Sequence, residues 1–235
     1  MKAYKILFNQ LKKILVTLTT TNSSWREKIE EVKNFELKEI ALFLTGLNRQ
    51  EREECYRALA KTGLEKIPFV HLRSDMSAEE IRFLIKNYQT EAFNIHSEEE
   101  FPLKDGLTSW ANRIYLENTD LLLNKEELKK WAGICLDLSH LEDDRCLNQK
   151  RYKKYLNLIE KYPVGVNHIS AVRKKVFRHP EFGLVKSAHF LKSLNELDYL
   201  KNYPTNFFAP LIAIELENSL EEQLKIKTYL EKLLF

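Results

Sequence analysis

A carboxylate and an imidazole stand three residues apart at the end of the apolar run Ile134–His140, ICLDLSH. Asp137 falls where a short buried strand would end, and His140 where the chain turns away. Oxygen and nitrogen donors set side by side suit a divalent ion such as zinc or manganese. A single Asp-x-x-His is weak evidence, because chance supplies many. The pattern gains weight by repetition. Among the six histidines, His71 closes the run IPFVHLRS, His96 closes EAFNIHS and His168 closes VGVNHIS. His179 and His189 lie in the basic stretch Arg173–His189 that follows. Glu117 ends RIYLENT, and Glu215 and Glu217 fall near the end of PLIAIELE. If these runs end on one rim, acidic groups and dry imidazoles crowd together there. That crowding is costly unless a cation offsets it.

The elements that must position these residues recur along the whole chain. KILVTLTT, EIALFLTG, IPFVHLRS, EAFNIHS, RIYLENT, ICLDLSH, VGVNHIS and PLIAIELE each read as a short, continuously apolar strand, as expected of a parallel sheet buried on both faces. Helical patterns lie between them, several opened by a capping box: Ser24 with Glu27, Asn48 with Glu51, Ser77 with Glu80, and Ser219 with Glu222. Poorer stretches interrupt the rhythm. Pro102 and Gly106 point to a short or irregular helix ending near Trp110, a helix starts at Ser193, and RKKVFRHPEFGLVKSAH reads as a long basic loop. About eight β-α units in 235 residues have the length of an α/β, single (β/α)8 TIM barrel spanning residues 1–235. An open doubly wound sheet would normally advertise a Gly-rich phosphate turn, and the six glycines form no such pattern. In a barrel, strand C-termini form the catalytic rim. All six histidines fall on it.

Composition narrows the function classes. A net charge of +3 is too mild to announce nucleic acid, although it leaves room for a local basic patch. Cys55, Cys135 and Cys146 are an odd number without metal-knuckle spacing, which fits free thiols in a reducing compartment. No apolar run approaches the roughly 20 residues of a membrane helix. The N-terminal run is broken by Asn9, Gln10, Lys12 and Lys13 and makes a poor signal peptide. A cytoplasmic protein with no membrane partner is therefore expected. Cys135 shares strand parity with Asp137 and is expected to point into the barrel one layer down.

IYLENT, CLDLSH, VNHIS, the late His189 and IELE together resemble the xylose isomerase-like superfamily of TIM barrels. That superfamily includes sugar isomerases and epimerases and the endonuclease IV group. The resemblance implies one divalent metal (Zn, Mn, Mg or Co) held by Glu117, Asp137, His168 and either Glu215 or Glu217. In its isomerase branch, Glu117 and Glu217 would move the proton between adjacent carbons. There His140, Arg173, His71, His96 and His189 would contact a small sugar or sugar phosphate. In its endonuclease IV branch, His71, His96, His140 and His189 become further zinc ligands, and the substrate is abasic DNA or another phosphodiester. One position departs from that branch, because Ser187 stands where the Asp-x-His pair ending at His189 should begin.

The expected function is metal-dependent isomerisation or epimerisation of a small sugar or sugar phosphate. The alternative is a zinc phosphodiesterase acting on DNA, which the site residues favour and the short βα turns disfavour. A third reading is a non-catalytic binding module on the same barrel. Oligomeric state is left open, a homodimer being common among such barrels.

Overall fold

The first apolar run forms two short strands, β1 (Lys13–Leu15) and β2 (Thr17–Thr19), which meet at Val16. This break lets one segment serve both ends of the sheet. The computed structural model describes residues 12–21, 24–103, 106–180 and 183–235. Within it the chain continues as α1 (Trp25–Asn34), β3 (Glu39–Phe43), α2 (Arg49–Leu59), β4 (Lys66–His71), α3 (Ala78–Tyr88) and β5 (Ala92–Ile95). Next come β6 (Ile114–Glu117), α4 (Lys125–Leu128), β7 (Gly133–Asp137), α5 (Leu138–Leu147), α6 (Gln149–Ile159) and β8 (Val164–Ile169). A pair of strands, β9 (Ala171–His179) and β10 (Gly183–Ala188), precedes β11 (Leu211–Ile214) and α7 (Leu220–Leu234).

The main sheet runs β1-β11-β8-β7-β6-β5-β4-β3-β2, and its neighbours are parallel throughout. Since β1 pairs with β11 while β2 pairs with β3, the ring returns to the segment it started from. Its nine strands occupy eight positions, the first being split, and this is the (β/α)8 barrel that the sequence predicts.

The period of two along each strand sorts residues between two cores. Leu15, Ala41, Phe43, Phe69, Ala92, Cys135, Val166 and Ala213 pack inside the barrel. Residues such as Ile40, Leu42, Ile67, Val70, Ile134 and Leu136 instead pack in the larger cluster that takes in the helices. Tyr115 packs against the inner cluster, and its ring occupies the space a Cβ on Gly165 would need, at 2.0 Å. Two residues further along the inward parity, the apolar layer gives way to His71, Asn94, Glu117, Asp137 and His168. The β7–β8 register sets Asp137 opposite His168, and the β4–β5 register sets His71 opposite Asn94.

Three of the four expected capping boxes form, whereas Ser24 opens α1 without a side-chain cap bond and so without the box expected with Glu27. Asn48, Ser77 and Ser219 each form the reciprocal capping box with the glutamate three residues on.

Three expectations are corrected. The stretch read as a basic loop is largely an antiparallel hairpin, β9 with β10, with a bulge between Val185 and Ser187. Its strands are largely solvent-facing beyond Val172, so they lack the apolar run that marks a buried strand. The helix expected from Ser193 is a 3-10 segment, Leu194–Asn202. A whole extra helix, α5, starts at once after β7, so His140 belongs to its first turn rather than to a loop. Among the described residues, no helix is long and apolar enough to cross a membrane.

Candidate metal centre

Glu117, the last residue of β6, is buried at the centre of the polar layer. Its two oxygens face different partners. Oε1 lies 3.1 Å from Nδ1 of His168. Oε2 lies 3.1 Å from Nε2 of His71 and 3.6 Å from Nε2 of His96. The amide of Asn94 holds this same Oε2 at 2.5 Å. His71 is itself oriented by its other nitrogen, Nδ1, at 2.9 Å from the Leu72 carbonyl. Such backing of a ring's far nitrogen fixes which nitrogen faces the centre.

Three donor sets meet at this carboxylate; one, Glu117 with Cys135 and His168, uses a thiol that burial pushes up to about 12, and two use only imidazoles and carboxylates. Of the latter, one comprises His71, His96 and Glu117; the other comprises Glu117, Asp137, His168 and Glu215. Within each, the donor atoms lie within 4.8 Å of one another. Asp137 reaches the second set by ending β7 and capping α5 at the same time. Its Oδ1 accepts from the Ser139 and His140 amides and from the Ser139 hydroxyl, at 2.7, 3.0 and 2.7 Å. Asn118 grips its backbone, accepting from the Asp137 amide and donating to the Asp137 carbonyl. This leaves Asp137 Oδ2 aimed away from the cap. Asp137 Oδ2, His168 Nε2 and Glu215 Oε2 are all buried without a hydrogen bond. Glu215 Oε2 keeps an ion-pair contact with His168 Nδ1 at 3.3 Å, whereas Asp137 Oδ2 and His168 Nε2 have no partner that close, and a divalent cation fits the three atoms.

Electrostatics agree with a site built for positive charge. Burial alone would raise the Glu117 carboxyl, but His168 and His71 hold it well below the carboxylate range. Glu215 behaves alike, its burial outweighed by His168 and His189, and it falls to about 2. Asp137 is dominated by burial and rises to about 6. Burial lowers His96 to about 4, so its imidazole is the neutral form that ligates metals.

The structure places the remaining sequence-selected residues as follows. His140 Nε2 is 3.9 Å from Asp137 Oδ2, and His189 Nε2 is 3.9 Å from Glu215 Oε2. Both flank the donor sets without joining them. Glu217 is turned elsewhere: it accepts from Thr19 and Thr21 and lies 3.8 Å from Lys28 Nζ. Between the two glutamates left open by the sequence, Glu215 joins the cluster. Arg173 is engaged with Glu196 and the Phe190 carbonyl, bracing the base of the hairpin. His179 pairs with Gly183 within the hairpin. Cys135 lies in the inner core.

Sequence reading passed over Asn94, Ser139 and Asp143. Asn94 was available from parity, two residues before His96 in the same run EAFNIHS. Asp143 accepts from the Lys186 and Ser187 amides, pinning β10 to α5 just before His189. Only tertiary contact reveals that role.

No protein-family model matches this sequence, and neither does any curated protein. Solved structures resemble it in fold. A phospho-2-dehydro-3-deoxyheptonate aldolase from Thermotoga maritima aligns at TM-score 0.50 and 11% identity, covering 96% of this chain and 70% of that one. A xylose isomerase-like TIM barrel protein from Mycobacterium smegmatis, solved with magnesium, aligns at TM-score 0.48 and 13% identity over 95% of this chain and 98% of that one. SacUVDE aligns at TM-score 0.47 and 11% identity over 94% and 98%. At these identities the likeness is one of fold alone, the barrel itself being shown by the closed strand order, and function has to be argued from the site.

Proposed function

We propose that this protein is a divalent-metal-dependent phosphodiesterase, with two groups of rim residues that share Glu117 and would each hold one ion. The carrying observation is that the two oxygens of one buried carboxylate face two separate donor sets. His71, His96 and Glu117 would hold one ion, and Glu117, Asp137, His168 and Glu215 the other. Bound there, divalent cations supply Lewis acidity that polarises a phosphoryl oxygen and acidifies a water nucleophile near neutral pH. Zinc or manganese suits the mixed imidazole and carboxylate donors.

The chain's own groups do the positioning. Asn94 fixes Oε2 of Glu117, and the α5 cap fixes Oδ1 of Asp137 so that Oδ2 faces the centre. His189 is 43% exposed at its side chain, so it reaches the solvent side, where it can donate to a substrate oxygen. The hairpin adds the feature that short βα turns had argued against. Lys174, Lys175 and Lys192 line an open cavity of about 570 Å³ along it, suited to the phosphates of a longer substrate, while Arg173 at its edge is held by Glu196 and the Phe190 carbonyl.

A second reading keeps one ion in the four-residue set and uses Glu117 and Glu215 as an acid-base pair on a small sugar or sugar phosphate. The presence of two glutamates in that set favours it. A direct comparison decides between them. Protein loaded with zinc or manganese should cleave bis(p-nitrophenyl) phosphate, and an abasic-site DNA duplex tests the larger substrate. Interconversion of aldose and ketose phosphates without any phosphodiester cleavage would replace the first reading with the second.

A further inference from the structure

Beside His71 and His96, two of the three donors of the first set, the rim opens into a second cavity of about 140 Å³, which both histidines help to line. Its volume is well under the roughly 300–1,000 Å³ typical of sites for drug-sized ligands, so it suits one ring rather than two. Leu72, Ile95 and Leu103 give it apolar walls. Phe101 lines it with a ring that is 52% exposed, an unusual state for a phenylalanine beside a buried polar centre. That ring sits 5.3 Å from the His96 imidazole, tilted by 45°.

The position of Phe101 is built. Its amide donates to the Ser97 carbonyl, closing a turn after β5. The buried Glu127 accepts from the Ser97 hydroxyl and the Glu98 amide, both at 2.8 Å. Thr119 donates to the neighbouring Glu100 at 2.7 Å. Arg73 is fixed on the cavity wall, donating through Nη1 to the Thr45 carbonyl at 2.6 Å and through Nε to Asp75 at 3.0 Å. An exposed aromatic ring carried on a hydrogen-bonded turn, with polar groups nearby, is the arrangement that stacks a base and reads its edge.

We propose that this cavity is a base pocket, taking one pyrimidine-sized heteroaromatic ring joined through its sugar to a phosphate held at the centre. The proposal rests on the phosphoester reading of the centre and assigns its substrate class as a pyrimidine nucleotide or a strand bearing one. Phe101 supplies the stacking face and Arg73 a donor for the ring's edge.

The test is calorimetric binding to manganese-loaded protein, using uridine 5′-monophosphate, adenosine 5′-monophosphate and ribose 5-phosphate. Uridine 5′-monophosphate should bind about tenfold tighter than ribose 5-phosphate, the scale of one base-aromatic stack. The two-ring adenosine nucleotide should lose most of that gain. Phe101→Ala should erase the preference while leaving ribose 5-phosphate affinity unchanged, and Phe101→Trp should keep it. Phe101 is solvent-facing, so both variants should fold. Equal affinities for the uridine nucleotide and ribose 5-phosphate in the wild type, or an unchanged preference in Phe101→Ala, would overturn the pocket alone. No binding of any of the three would overturn the pocket together with the phosphate reading of the centre.

Discussion

Asp137 does two jobs with two oxygens, and paired substitutions separate them. Oδ1 caps α5 through three hydrogen bonds, while Oδ2 is buried with none. Asparagine keeps an acceptor in the Oδ1 position and is as good an N-cap as aspartate. It also removes a carboxylate whose pKa burial has pushed to about 6. Asp137→Asn should therefore change metal-free stability by less than about 1 kcal/mol. Asp137→Ala removes the cap, at about 1 kcal/mol, and strands the buried Ser139 hydroxyl, at about 1–3 kcal/mol. At about 2–4 °C per kcal/mol for a chain of this size, Ala should lower the melting temperature by roughly 5–15 °C and Asn by only a few degrees. Metal binding should follow the other oxygen, both variants losing the ion of the four-residue set and both losing cleavage. The assays are thermal melts in chelator and elemental mass spectrometry after metal loading and desalting. An Asn variant that retains full metal content would refute the assignment of Oδ2, and equal melting shifts for Asn and Ala would refute the division of labour.

Two further predictions concern the scaffold. Arg52 is fully buried and bonded to Glu80, Asp75 and the Leu47 carbonyl. Arg52→Met should cost about 3 kcal/mol, the low end for a broken buried pair because both carboxylates keep some solvent contact. A thermal melt should show a fall of about 6–12 °C; an unchanged midpoint would mean the cluster is not holding α2 to α3. Gly165→Ala drives a Cβ into the Tyr115 ring and should cost about 1–3 kcal/mol, with Tyr115→Leu in the same chain restoring most of it. Failure of that rescue, measured by denaturant unfolding, would place the strain elsewhere.

The barrel was legible because every one of its strands is a continuous apolar run, and the period of two carried the polar layer with it. His71, Glu117, Asp137 and His168 could be placed from strand ends alone. The choice between Glu215 and Glu217 could not, since both share a strand face, and Lys28 with Thr19 settles where Glu217 turns. The hairpin was read as a loop because its strands face solvent and need no apolar pattern. Arg173 looked like a substrate contact from sequence, yet its contacts to Glu196 and Phe190 are made across loops that no local pattern reveals.

The account turns on Glu117 serving two ions at once, so metal stoichiometry tests it most directly. Purified protein incubated with zinc or manganese, desalted and measured by elemental mass spectrometry should carry about two ions per chain. Glu117→Gln should carry none, and Asp137→Asn one. A single ion in the wild type, with Glu117→Gln and Asp137→Asn equally empty, would contradict the shared-carboxylate centre and leave the one-metal sugar reading in its place.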